Sequence, residues 1–393
     1  MKTVYQSERE DAVASASPAW QTDSTDLELL YWEALTSLEG FGHKTWMALL
    51  AKAGSAEGIW NASDALIKKA LPQKKQELIF KRRDIPLNEA WLNRHRELGI
   101  QVIAYPDSNY PPLLKEIHDP PGLLYVKGAL SALTSKTIAV VGTRNASEYG
   151  RQVTGKLIRE LVPASATIIS GLASGIDTVA HWTALQSGLL TVAVFGCGLD
   201  IIAPSANRRL SQEIIAQGGA LVSEYKLGTQ ASKYTFPQRN RIVAGLSHGV
   251  LVAEGDIKSG ALITAKLGLE EGRSVFAVPG NIYNSGSQGP LYLIQNGAVP
   301  VSCGQDILRE LQWWLPSGKS QPDLNAEQAT VEGFTALSDV ERQVLGGISY
   351  DPVSVENLSQ TTGLPFAKIN EILTLLELEG LIVLMPGAKV CRR

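Results

Sequence analysis

Six short runs of β-branched and small apolar residues, at 137–141, 167–170, 191–195, 220–223, 250–253 and 274–278, alternate with segments of helical periodicity. That alternation restricts the fold more than any other feature of the chain. Strands separated by helices are joined by crossovers, so they lie parallel and both faces of their sheet are covered. Residues 105–315 are therefore expected to form an α/β domain with a doubly wound, Rossmann-like parallel sheet.

The flanks read differently. Over residues 25–104 apolar positions recur at helical spacing, as in Leu27, Leu30, Tyr31, Ala34 and Leu35, without sustained strand-like alternation. A small all-α domain is expected there. Within it Gly40 and Gly42 separate two helical patterns, which suits either a hairpin offering backbone N–H groups to phosphate or, more simply, a turn using the conformational freedom of Gly. Residues 1–24 lack periodicity and read as a tail, and 316–333 read as a Pro, Gly, Ser and Gln-containing linker. In residues 334–393, helices at 337–345, 355–362 and 365–379 precede strands at 381–385 and 389–391 around Pro386-Gly387, the order of a winged helix.

Charge limits what each part does. The net charge of −3 gives no global basic field, so nucleic-acid binding has to come from a local cluster of cations. From residue 331 to the last, eight acids face five bases, and the candidate recognition helix carries one Lys and three Glu. Such a helix repels phosphate, and protein contact is expected of it instead. Three separated cysteines and five histidines form no metal-ligand spacing, so no disulfide, metal or cofactor is expected. The polar, acid-containing start and the short apolar runs predict no export and no membrane insertion, hence a cytoplasmic protein.

Ligands of doubly wound sheets bind beyond the carboxyl ends of the strands. There the chain places Gly142-Thr143-Arg144 after the first run and Ser170-Gly171, then Ser174-Gly175, after the second. Small residues let the backbone approach an oxyanion that N–H groups at the next helix hold. One such loop is ordinary packing; two neighbouring ones point to phosphate. Neither contains the phosphate-loop signature of ATPases, and Gly196-Cys197-Gly198 lacks the rest of a dinucleotide fingerprint. After the fourth run, Lys233, Tyr234, Phe236, Arg239 and Arg241 put three cations and two aromatics, with Asn240 among them, into nine residues. Cations for the backbone and aromatic faces for bases are what single strands require. The competing reading pairs the arginines internally with acids such as Glu224 and Glu254 and makes Phe236 core. Asp177 and His181, four apart on a helix, read better as a cap and a core histidine than as an acid–base pair.

Several strings together resemble the DNA-processing protein A (DprA/Smf) family: YPDSNYPPLL, VVGTRNASEYG, SGLASGIDTVAH, FGCGLD, FPQRNRIVAGLS, SGALITA and VPGNI. The resemblance spans roughly residues 105–311. It implies an extended Rossmann domain that dimerises, binds single-stranded DNA and hands it to the RecA recombinase in natural transformation, with no enzymatic step. It also implies DNA contacts at Arg144, Ser170, Gly171, Lys233, Phe236, Arg239 and Asn240. Two turns depart from the family pattern, at Ile202-Ala203-Pro204 and Gly289-Pro290-Leu291, so contacts from those turns are not carried over. The alternative is a nucleotide hydrolase of the phosphoribohydrolase-like Rossmann type, whose PGGxGT signature the chain lacks.

Overall fold

Strands β1 (Gln101–Ala104), β2 (Leu123–Gly128), β3 (Thr137–Val141), β4 (Thr167–Ser170), β5 (Thr191–Phe195), β6 (Ala220–Ser223), β7 (Gly249–Val252), β8 (Ser274–Ala277) and β9 (Val299–Pro300) form one sheet in the order β1-β2-β6-β5-β4-β3-β7-β8-β9. This computed structural model describes residues 25–313, 338–349 and 352–392, so the expected tail and linker lie outside the described residues. From β6 across to β9 every pairing is parallel. The chain winds outward from β3 through β4 and β5 to β6, then returns to the other side of β3 for β7, β8 and β9. The strand order thus reverses between β3 and β7, and their carboxyl ends open a crevice.

All six expected strands are present within a residue of their expected bounds. Strands β3 to β7 are buried along their whole length, as sheets covered on both faces require. Strands β1, β2 and β9 were not among the six. β1 lies inside the stretch read as helical and pairs antiparallel with β2, which pairs antiparallel with β6. Four residues of β1 are too few for a two-residue period to show, and its state is set by the edge it pairs with.

The front helices Asp26–Thr36, His43–Ala53, Ala56–Trp60, Asp64–Ala70, Gln73–Arg83 and Glu89–Glu97 start at side-chain caps where the sequence offers them. Thr25, Ser55, Ser63 and Asn88 each accept a backbone N–H of the first turn. Their apolar faces do not form a separate core. Trp32 meets Trp46 edge-on at 5.1 Å, Trp46 meets Tyr105 at 4.8 Å, and this cluster runs on through Leu124 and Tyr125 of β2. The front helices and the sheet form one compact unit.

A buried ion cluster crosses the same junction. Glu33, on the first helix, holds Arg82 at 3.3 Å and also pairs with Lys226, just beyond β6. Side-chain exposures of 11%, 13% and 37% leave Lys226 the wettest member.

The second unit has a core of its own. Helices Asp339–Gly346, Val355–Thr362 and Phe366–Leu378 pack Val344, Leu358, Ile369, Leu373 and Leu376 against Ile382 and Val390. A three-stranded sheet, β10 (Val353–Ser354), β12 (Lys389–Arg392) and β11 (Ile382–Met385), completes the winged helix. Ser338 and Glu341 form a capping box at its first helix.

The Glu33 cluster yields a stability prediction. Glu33→Gln keeps the shape but removes the charge that two cations face, and is expected to cost about 2 kcal/mol, less than a fully buried pair because Lys226 can rehydrate. Urea unfolding of both proteins measures it; equal midpoints would mean that the cluster contributes nothing net.

Candidate nucleic-acid interface

An open cleft of about 780 Å³ lies at the carboxyl ends of the strands, where the order reverses. The loop after β3 supplies Gly142, Thr143 and Arg144, and the loop after β4 supplies Gly171, Ala173 and Asp177. Lys233, Phe236, Arg239 and Asn240 come from the segment entering the helix Thr235–Gly245. Lys258, Ser259 and Gly260 close the far side after β7. Both loops singled out in the sequence therefore meet the basic-aromatic segment in one place.

Backbone hydrogen bonds tie the loop after β3 to the loops after β7 and β4. Thr143 N–H donates to the Glu254 carbonyl at 2.7 Å, and Ile176 N–H donates to the Thr143 carbonyl at 3.1 Å. Gly175 sits at φ 78°, and a Cβ there would fall 2.2 Å from the Thr143 carbonyl oxygen. Only glycine allows that approach. The Asp177 carboxylate accepts the Gly171 and Ala173 amides at 3.1 and 3.3 Å, curling the second loop back on the start of its helix. Ser170 is fully buried, and its hydroxyl donates to the Val140 carbonyl at 2.6 Å.

Two of the expected DNA-contacting cations point inward. Arg239 is 4% exposed and donates to the carbonyls of Gly171, at 2.8 Å, and Val194. A Cβ on Gly171 would lie 2.4 Å from its guanidinium. Arg241 pairs with Glu224 and, at 3.5 Å, with Asp119. The sequence groups both with the DNA contacts and leaves internal pairing with acids such as Glu224 as the competing reading, and the geometry follows the latter. Their partners make them struts instead, because a buried guanidinium is stable only when paired. Ser170 is likewise turned away.

What faces the cleft is a smaller set. Arg144 and Lys233 are exposed, and Asn240 is half-buried with its amide 3.4 Å from the Gly260 carbonyl; Ser174, exposed on the second loop, is not among the lining residues. Phe236 is half-buried, with the Arg144 guanidinium 5.4 Å and that of Arg239 5.9 Å from its ring centre. Its ring is thus bracketed by cations. Tyr234 is 68% exposed beside Lys233, whose Nζ lies 5.1 Å from the ring. Lys258 was not among the expected site residues; Ser259 caps the helix Gly260–Glu270, its hydroxyl accepting the Ala261 N–H at 3.3 Å. The missing signal was the strand order, which puts the loop after β7 opposite the loop after β3.

Asp177 and His181 serve different elements. Burial pushes the Asp177 carboxyl up, against the pull of Arg239 and of the two amides it accepts. His181 is fully buried, and the Thr191 hydroxyl beside it already donates to the Ile168 carbonyl. Its Nδ1 therefore donates to Thr191 Oγ1, at 2.7 Å, and holds the helix to β5. Among the described residues no group of three or more His, Cys, Asp or Glu is arranged to hold a metal ion. Nor is any described helix long and apolar enough to cross a membrane.

Comparison with known proteins agrees with this architecture. The family described as DNA recombination-mediator protein A matches residues 101–312, and the DprA winged helix domain matches 326–388. Protein Smf of Escherichia coli K12 is 40% identical over 323 residues, covering 81% of this chain and 84% of its own. The DNA processing protein DprA of Streptococcus pneumoniae R6 is 45% identical over 235 residues, covering 60% of this chain and 82% of its own. The X-ray structure of DNA processing protein A from Streptococcus pneumoniae superposes with a TM-score of 0.63 at 37% identity, covering 74% of this chain and 99% of that one.

The buried histidine makes stability under the cleft depend on acid. Burial pushes His181 down from 6.5 to about 3, so the folded protein takes up a proton later than the unfolded chain does. Its contribution is complete above pH 6.5 and is lost as pH falls towards 3, with roughly 2 kcal/mol gone by about pH 5. Urea midpoints across that window should fall more steeply for the wild type than for His181→Gln, which keeps a donor for Thr191. Parallel curves would show that the proton goes elsewhere.

Proposed function

We propose that this chain, which belongs to the DNA recombination-mediator protein A family, binds single-stranded DNA in the cleft at the strand-order reversal. One observation carries the reading: exposed Arg144 and Lys233 line one cleft with the half-buried ring of Phe236 and the glycine-containing loops after β3 and β4. Cations placed this way meet successive phosphates, and aromatic faces of Phe236 and Tyr234 meet bases that a duplex would keep stacked inside. Gly142, Thr143 and Gly171 line the floor where small residues let a strand come close, Ser174 and Gly175 shape the second loop behind them, and Asn240 adds a polar contact. Arg239, Arg241 and Ser170 hold the frame. In the nucleotide hydrolase reading Asp177 would be the acid, yet its carboxylate is already engaged by two amides and faced by Arg239.

Family membership supports the rest of the proposal. The protein works as a homodimer that protects incoming single strands and passes them to the RecA recombinase in natural transformation, and no enzymatic step is needed. The winged helix fits a protein-contact role better than a phosphate-contact one. Its helix Phe366–Leu378 exposes Leu375 and Leu378, and its Lys368 is 2.9 Å from Glu371.

Fluorescence-anisotropy titration of labelled oligo-dT and a matched duplex across a salt series tests the binding. The wild type should prefer the single strand. Arg144→Ala and Lys233→Ala should each weaken binding and reduce the slope of log affinity against log salt by about 0.7. Their urea midpoints should match the wild type, whereas Arg239→Ala should lose about 3 kcal/mol by stranding Asp177. No preference for the single strand, or variants at Arg144 and Lys233 that bind like the wild type, would overturn the assignment.

A further inference from the structure

Beyond the cleft, the loop after β8 holds the most exposed large aromatic side chain among the described residues. Tyr283 is 91% exposed, and Ile282 beside it is 63% exposed. The loop leaves β8 at the same carboxyl edge as the cleft loops, one strand further out than β7.

The backbone that carries these side chains is held in place. Tyr283 N–H donates to Asn281 Oδ1 at 3.0 Å, and the Gln288 side-chain amide donates to the Ile282 carbonyl at 2.5 Å. Gly255 N–H donates to the Gly286 carbonyl at 2.7 Å, and Gly289 N–H donates to the Gly255 carbonyl at 2.8 Å. Through Gly255 the loop is tied to the segment that carries Lys258 and Ser259 into the cleft. An aromatic ring on a pre-ordered backbone loses little entropy when something stacks on it.

The surrounding charge is also informative. Between Arg273 and Asp306 the chain has no Asp, Glu, Lys, Arg or His at all. Nothing in that stretch repels a phosphodiester strand or pulls one in by charge. The neighbouring segment adds acids, Glu254 against Gly286 and the exposed Asp256, so the loop itself contributes through base faces and hydrogen bonds and not through attraction to phosphate.

We propose that the single strand runs past the cleft along the carboxyl edge of the sheet and that a base stacks on Tyr283, with Ile282 as the apolar neighbour of that base. This rests on the cleft being the DNA site. Five strand spacings separate β6, which leads to Tyr234, from β8, which leads to Tyr283. At about 4.8 Å each, this edge is roughly 24 Å long and accommodates about seven stacked nucleotides. Oligonucleotides that fill only the cleft stop short of Tyr283.

The test compares Tyr283→Ala, Tyr283→Trp and Arg144→Ala with the wild type on oligo-dT of about five and about ten nucleotides, in a salt series. Tyr283→Ala should lose about tenfold on the longer strand and almost nothing on the shorter, with the salt slope unchanged. Tyr283→Trp should retain wild-type affinity, and iodouracil-substituted oligonucleotide should photocrosslink to the peptide containing Tyr283. If the wild type binds neither strand, the cleft assignment itself fails. If Arg144→Ala is impaired but Tyr283→Ala equals the wild type at both lengths, the cleft stands and the extended track is wrong. A changed sedimentation coefficient for Tyr283→Ala would place the residue between copies of the chain and also overturn the proposal.

Discussion

The geometry of the cleft depends on one buried cation. Arg239 reaches from the helix Thr235–Gly245 under the loop after β4, donates to carbonyls on two adjacent strand ends, and lies close enough to Asp177 for each to shift the other's ionisation. A guanidinium without counter-charge would be costly at that depth, and so would the carboxylate. Together they fasten the second loop from both sides: Arg239 takes its carbonyl, and Asp177 takes its amides. Gly171 lies between them with no room for a side chain. The exposed groups inherit their positions from this arrangement, since Phe236 leans on Arg239 and Arg144 covers Phe236.

This explains which parts of the site were legible in the sequence. The loops were, because glycine and small residues at the carboxyl end of a strand have few other reasons to recur twice. The basic-aromatic segment was legible as composition, but composition does not say which way a cation points. Lys233 and Arg239 look equivalent in the chain, yet one is on the rim and the other in the interior. The helix starting at Thr235 decides this, since Arg239 falls one turn into it, on the buried face with Ile242 and Val243. The fold was legible where β-branched runs are buried on both faces and alternate with helices, and obscure at the edge strands β1 and β9; β2, six residues long and paired on both sides, is joined antiparallel and lies outside that alternation. Lys258 could be found only from the strand order, because no local pattern says that the loops after β3 and β7 become neighbours.

The winged helix poses a separate question of charge. Helices of this kind enter a groove of DNA when they present cations to it. Here the corresponding helix exposes Phe366, Leu375 and Leu378, and its cation is tied to Glu371. Exposed apolar side chains framed by acids suit a protein surface better than a phosphate backbone. The unit has its own core and its own capping signals.

A division of labour follows for the α/β unit. Exposed Arg144, Lys233 and Lys258 lie on the segments that meet at the strand-order reversal, while the following stretch from β8 to β9 carries no charge. Attraction to phosphate is long-ranged and weakens with salt; stacking on an aromatic face is short-ranged and does not. On the proposed reading, the cations capture a strand by charge, and the aromatic faces of Phe236 and Tyr234 among them and of Tyr283 at the edge make an unpaired base the feature that is recognised.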